Sequence, residues 1–207
     1  MIMTGGSSAT VIGEARSVAS VYRLACRTHI TKPLRCLVGR LQAASGIANL
    51  DDAPMSSLLD IDVSGLYIGN KQLMALFAVA ARAPRLTRLA AREQHMYSAD
   101  VVAVDEAARP SSPGASSTCT GDDVLTSLIA EMRRAEGYRD DGLALEIDLR
   151  DNPELGPRAA RELQFLATEC PFISCIRIDR GCSGIDPVSR ELIEIQCSRN
   201  AERLAAR

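Results

Sequence analysis

Aromatic side chains are scarce in this sequence: Trp is absent, and Phe and Tyr together make up 3% of 207 residues. That disfavours a ring-lined cavity of the kind that encloses a cofactor. It also removes the stacking platforms on which single-stranded nucleic acid sits. Only two histidines occur, His29 and His95, and there is no H-E-x-x-H, no C-x-x-C and no Rossmann glycine signature. No apolar run reaches the roughly 18 residues that a membrane-spanning helix needs. A short hydrophobic core with a small-residue cleavage site is missing as well, so secretion is not expected. The cysteines (26, 36, 119, 170, 175, 182 and 197) are odd in number and irregularly spaced. They read as reduced thiols serving as small core residues in a reducing compartment, not as a disulfide framework or zinc ribbon.

Apparent catalytic motifs dissolve on inspection. Gly65 to Lys71 ends in Gly-Asn-Lys, which does not meet the phosphate-loop pattern, and Gly181-Cys182-Ser183-Gly184 is not a nucleophile elbow. Cys26 with His29 has the composition of a nucleophile and base, but both read better as local donors or solvent-facing groups. The expectation is a non-enzymatic chain with no cofactor and no metal.

Net charge is −2, so no global field draws the chain to nucleic acid or membrane. The charge is unevenly spread. Residues 1–50 carry Arg16, Arg23, Arg27, Lys32, Arg35 and Arg40 against Glu14 alone. This Arg-rich, acid-poor start fits a basic face on N-terminal helices, and it is also compatible with a mitochondrial transit segment.

What the chain does have is a core made of Leu, Ile, Val and Ala, within a hydrophobic content of 46%. Residues 1–12 are small, Gly- and Ser-rich, and read as a flexible N-terminus. Residues 13–50 read as a helical cap: one helix over about 14–28, and a second opening at Pro33 with Leu34, Leu37, Val38 and Leu41 on one face. Over 51–207 a strand-turn-helix template recurs. It starts as Leu58-x-x-Ile61-x-Val63, then Leu86-x-x-Leu89-x-Ala91, then Ala144-x-x-Ile147-x-Leu149, then Ile173-x-x-Ile176-x-Ile178. The helices that follow are marked by Leu73, Leu76, Phe77 and Ala80 (with Asn70 as N-cap), by Ala160, Leu163 and Leu166, and by Val188, Leu192 and Ile195. Val63 to Ala91 is 28 residues and Leu149 to Ile178 is 29, while Ala91 to Leu149 is 58. The doubled interval holds a Pro/Ser/Gly/Thr-rich stretch at 109–121 and then a helical face of Leu125, Leu128, Ile129 and Met132. An insertion in the second unit, with a surface loop near 109–121, explains it better than a decayed repeat.

This template resembles the ribonuclease-inhibitor class of leucine-rich repeats. The resemblance is strongest over 145–178 and covers about 58–96 and 144–196. Tyr22, Cys26 and Lys32-Pro33-Leu34 before the first unit also resemble the cap of short leucine-rich-repeat proteins of flagellated protists. The resemblance implies an α/β fold: a short solenoid with a parallel sheet on the concave side, helices on the convex side, and an N-terminal helical cap. Asn152 fills the position where such repeats carry an asparagine; Gln94 fills it imperfectly, and Leu66 and Gly181 do not fill it.

Residues between the core positions of each strand should point away from the helices, because side chains alternate across a strand. These are Asp60, Asp62 and Ser64; Arg88, Ala90 and Arg92; Glu146, Asp148 and Arg150; and Cys175, Arg177 and Asp179. Turn positions add Glu93, Asp151 and Arg180. The expected role is a polar protein-binding face whose charges set register and partner choice; a self-paired, solvated face is the competing reading. The family resemblance implies a scaffold subunit in a larger cytoskeletal or flagellar assembly, located in the cytoplasm. The alternatives are a structural component of a mitochondrial ribonucleoprotein, touching nucleic acid through the basic N-terminal helices, and a soluble adaptor. On this register Leu149→Asp should unfold the chain, whereas Arg150→Glu should leave it folded and alter binding only.

Overall fold

A computed structural model describes residues 17–94, 96, 121–135, 137, 139–140, 142–153, 155–179 and 184–207. The expected flexible N-terminus (1–12), most of the loop near 109–121, and Gly181, Arg180 and His95 lie outside the described residues.

Four short strands form one parallel sheet in the order β1-β2-β3-β4. They are β1 (Asp60–Asp62), β2 (Arg88–Ala90), β3 (Leu145–Asp148) and β4 (Ile173–Arg177). The helices are α1 (Val18–Thr28), α2 (Arg35–Ser45), α3 (Asn70–Ala81), α4 (Gly121–Ala135), α5 (Pro157–Glu169) and α6 (Pro187–Ala205). Among the described residues the architecture is therefore α/β with an open sheet. No described helix is long and apolar enough to cross a membrane.

Each strand is too short to be stable alone, so its apolar side chains must be covered by neighbours. Ile61, Leu89 and Ile147 are adjacent in register and wholly buried, and Ile176 completes the row. Leu58 and Leu86 before the strands, and Val63, Ala91 and Leu149 after them, are buried too. The helices pack side by side over this face in chain order: α1 on α3, α3 on α4, α4 on α5 and α5 on α6. β2 pairs directly with β3, and α4 packs between α3 and α5 in the helical layer.

After β1, β2 and β3 the chain takes the same left-handed step, at Gly65 (φ 69), Glu93 (φ 56) and Asp151 (φ 60). Two of the three are not glycine, a conformation that costs energy unless its surroundings enforce it. The next side chains supply that support. Asn152 Nδ2 donates to the carbonyls of Ala91 (3.0 Å), Leu149 (2.9 Å) and Arg150 (3.2 Å), and its Oδ1 accepts from the Gln94 N–H (2.8 Å). Gln94 Nε2 reaches the Val63 carbonyl (3.0 Å) and the Arg92 carbonyl (2.9 Å). Gln94 Oε1 is buried and meets no donor, so the longer side chain does the same task less completely.

The N-terminal helices are tied to the first unit by polar bonds. Tyr22 Oη donates to Gln72 Oε1 on α3 (2.9 Å) and accepts from the Leu34 N–H (3.1 Å). Gln72 Nε2 donates to Thr31 Oγ1 (2.7 Å) and to the Lys32 carbonyl. Burial pushes the Tyr22 hydroxyl above its ordinary pKa, although the Leu34 N–H works the other way. The hydroxyl therefore stays protonated and keeps donating.

Several local expectations need correction. The first helix begins at Val18, where Ser17 accepts from the Ser20 N–H (3.2 Å). The second begins at Arg35 with Leu34 as N-cap, not at Pro33. Gly69, at φ 74, is the N-cap of α3, and Asn70 is its first helical residue.

The largest correction is the rotation of α6. Val188, Leu192 and Ile195 were expected to face the core, yet they are 65%, 43% and 41% exposed. Ile193, Cys197 and Asn200 face inward instead. Both sets follow helical spacing, so periodicity alone cannot choose between them. The choice falls to two buried carbonyls that need donors. Asn200 Nδ2 donates to Ala167 (2.8 Å) and Ile173 (3.0 Å), and Ile193 and Cys197 share its side of the helix. Burial also raises the Cys197 thiol to about 11. The loop before α6 passes so close to Gly156 that a Cβ on Gly184 would lie 2.4 Å from the Gly156 Cα.

A paired substitution tests this rotation. Leu192→Ser is expected to cost well under about 1 kcal/mol, as surface changes do. Ile193→Ser is expected to cost about 3 kcal/mol or more, from lost burial and an introduced hydroxyl. Chemical denaturation of both variants reads the difference. Equal losses would mean that α6 is turned the other way.

Candidate functional site

The sheet face away from the helices carries the residues expected to bind. Register places Asp60 beside Arg88 and Arg88 beside Glu146, and aligns Asp62, Ala90, Asp148 and Arg177 in one row. Ion pairs run across and along these rows. Arg88 Nη1 lies 3.1 Å from Asp60 Oδ2 and 3.5 Å from Asp62 Oδ2. Arg177 grips Glu146 with Nε at 2.7 Å and Nη2 at 3.0 Å. Arg92 Nε donates to Asp151 Oδ2 (2.7 Å), with Nη2 on the same oxygen. The Asp179 carboxylate accepts from the Asp151 N–H, which carries the network from the second unit to the fourth.

Neighbouring groups bias Arg92, Arg177 and Asp62 toward their ionised forms. Hydrogen bonding and charge from Asp151 raise Arg92, and those from Glu146 raise Arg177. Burial pushes Asp62 up. The Ser64 N–H at 2.8 Å, together with the charges of Arg88 and Arg40, outweighs that and leaves its carboxyl below the ordinary value. Ser64 Oγ in turn accepts weakly from the Arg92 N–H at 3.4 Å.

Asp148 departs from the expected exposed face. Its side chain is 1% exposed and lies under the Arg150 guanidinium, which donates to it from Nε at 2.9 Å and Nη2 at 2.7 Å. The Arg150 N–H adds a third bond at 3.2 Å. Asp148 thus acts as an internal anchor for Arg150 and offers no surface to a partner. Ala90 is likewise buried. The remaining expected residues, Asp60, Asp62, Ser64, Arg88, Arg92, Glu146, Arg150, Arg177 and Asp179, are partly or well exposed. Arg177 is 47% exposed and Arg92 37% at the side chain, which leaves both able to exchange partners.

Asp151 belongs with this group more firmly than its turn position implied, because it accepts from Arg92 and, through its backbone, reaches Asp179. An aspartate before Asn152, at a place where the chain must turn left-handed, was the available sign. Two features had no sequence sign: the buried Glu131 of α4, clasped by Arg82 (3.0 Å) and Arg134 (2.8 Å), and the inward Asn200.

Cys26 and His29 do not form a reactive pair. Cys26 contacts Tyr22, and burial pushes its thiol up, away from the thiolate a nucleophile needs. His29 is held below its ordinary value by burial, against a smaller opposing pull from Glu131. Among the described residues no cluster of three or more His, Cys, Asp or Glu is arranged to hold a metal. Two small clefts, of about 140 and 160 Å³, lie among residues of the helical layer and its connecting loops, not on the charged face. No protein-family model, no curated protein and no solved structure matches this chain.

Proposed function

We propose that this chain is a non-enzymatic leucine-rich-repeat scaffold that binds another protein across the charged face of its sheet. The observation that carries the reading is the inter-strand network of Arg88, Arg92 and Arg177 with Asp60, Asp62, Glu146, Asp151 and Asp179. It spreads over all four strands on one face. Exposed ion pairs of this kind contribute little to stability, because solvent screens them and side-chain ordering costs entropy. Rows of opposite charges suit partner selection and docking rate, since a partner can take over one member of a pair. The face lacks aromatic anchors, so the affinity of a single contact is modest and the chain works as one piece of a larger assembly.

The repeat reading is supported by the recurring left-handed step at Gly65, Glu93 and Asp151. It is further supported by the Gln94 and Asn152 side chains that stitch one unit to the next. Within this reading the sheet is the concave side of a short solenoid, and α1 and α2 close its first end. The resemblance of the cap to short proteins of flagellated protists points to a cytoskeletal or flagellar assembly as the destination.

A decisive experiment uses the full chain tagged at its C-terminus in its own cell. Extraction with mild non-ionic detergent is followed by mass measurement and crosslinking. Retention in the cytoskeletal fraction, with crosslinks mapping beside the sheet face, is expected. Arg88→Glu with Arg177→Glu should release the partner while thermal stability shifts little. Crosslinks confined to the helical layer, with no effect of the double change, would refute the binding face. A shortened form in mitochondria would replace the cytoskeletal destination with the ribonucleoprotein one, and a wholly soluble chain would leave an adaptor.

A further inference from the structure

A cleft of about 140 Å³ lies between the end of α6 and the loop that leads into β3. Arg139, Asp140, Leu143, Phe172, Arg203 and Arg207 are among the residues that line it. We propose that this cleft binds a phosphate group. The proposal is independent of the charged sheet face.

The first observation is the state of Arg139. Its guanidinium stacks on Phe172, 4.8 Å from Cζ to the ring centroid. Nη2 donates to the Leu86 carbonyl, with Leu143 at 3.4 Å. Nε and Nη1 are sealed from solvent and meet no acceptor. Burial lowers its pKa, and Asp140 opposes that only in part. A guanidinium held this way is a costly cation in a poorly solvated place, and it gains from any anion nearby.

The second observation is the company it keeps. Arg203 and Arg207 stand on the other wall, and among the described residues neither they nor Arg139 form an ion pair with a carboxylate. Elsewhere Arg82, Arg88, Arg92, Arg150 and Arg177 each pair with an acid. Among the described residues that line the cleft, three guanidinium groups stand with the carboxylate of Asp140. The negative end of the α6 dipole accounts for Arg203 in its last turn. It does not account for Arg139, which comes from a different segment on the opposite wall.

The third observation is size and shape. The cleft has room for a few water molecules, which is enough for a tetrahedral oxyanion. Phosphate oxygens project in several directions, so that two exposed arginines can each hold one. A monocarboxylate is planar. The ligand meets Arg203 and Arg207 directly. It acts on Arg139 by charge alone, through the low-dielectric wall, because the unpartnered Arg139 nitrogens are not open to the cleft.

Inorganic phosphate and a phosphorylated side chain of a partner share this chemistry. The test uses the full chain purified in chloride. Thermal unfolding and titration calorimetry are run with inorganic phosphate, with a phosphoserine peptide, with its unphosphorylated form and with chloride at matched ionic strength. Both phosphate-bearing ligands are expected to raise the melting temperature by mass action. Arg203→Ala with Arg207→Ala should weaken binding by at least about tenfold, while the melting temperature without ligand stays put, because both side chains are exposed and unpaired. A peptide that binds about tenfold tighter than the free ion assigns the site to a phosphorylated protein, and equal affinities assign it to the free ion. An equal effect of chloride, binding of the unphosphorylated peptide as tight, or undiminished binding to the double variant would each overturn the proposal. Arg139→Met serves as a second variant. It should raise stability without ligand and remove most of the phosphate-induced gain; a gain left intact would show that Arg139 is not coupled to the cleft.

Discussion

Asn152→Ala is expected to destabilise the chain by about 3–5 kcal/mol, enough to unfold a marginal domain. The side chain is wholly buried and serves the Ala91, Leu149 and Arg150 carbonyls and the Gln94 N–H. Alanine strands several of these groups where water cannot replace the lost partner, at about 1–3 kcal/mol for each group left bare. It also removes the restraint that holds Asp151 in its left-handed conformation at φ 60. Gln94→Ala should cost less, because Gln94 already has one unmet atom and supplies two bonds. Urea denaturation reads both midpoints at constant slope. An Asn152→Ala loss under about 1 kcal/mol would mean that the stitch between units is not what stabilises the stack.

Arg150→Glu is expected to destabilise as well, by less than Asn152→Ala because Arg150 is itself 39% exposed. Sequence alone placed this residue on a binding face and expected the change to leave the fold intact. The structure puts the buried Asp148 carboxylate beneath it, so reversal removes the cation bonded to Asp148 and adds a second anion. Burial pushes Asp148 up, but the bonds and charge from Arg150 more than cancel this and hold the carboxyl below its ordinary value. Its folded pKa is depressed. The pair therefore contributes stability above the unfolded carboxylate range, and the contribution is lost as pH falls through the folded value. Arg150→Glu should flatten that acid limb, and adding Asp148→Asn should recover most of the loss. Stability measured from pH 7 downward checks both. A stable Arg150→Glu protein with an unchanged acid limb would show that Asp148 does not depend on Arg150.

Much of the architecture was legible because periodicity and breakers point the same way. The alternation around Ile61, Leu89, Ile147 and Ile176 picked out both the strand register and the charged face. Pro157, Asp186-Pro187 and the apolar faces of α3, α4 and α5 located helices. The face itself was legible as a list of residues but not as a network. Which acid each arginine takes depends on side-chain reach across strands that are far apart in sequence, as Arg92 with Asp151 shows.

Tertiary structure alone decided the rest. α6 carries two apolar stripes of equal period, and the carbonyls of Ala167 and Ile173, 33 and 27 residues before Asn200, select the one that includes Asn200. Asp148 reads as one more outward strand residue until Arg150 folds over it. Arg139, Arg203 and Arg207 are scattered along the chain and become a cleft only when the end of α6 meets the loop before β3. The sequence by itself determined which residues turn inward along each strand and where the chain reverses, because hydrophobic burial and local sterics act over a few neighbours. It did not determine helix rotation, ion-pair partners or the arginine cleft. Those are settled by groups distant in sequence that must be satisfied together once water has left.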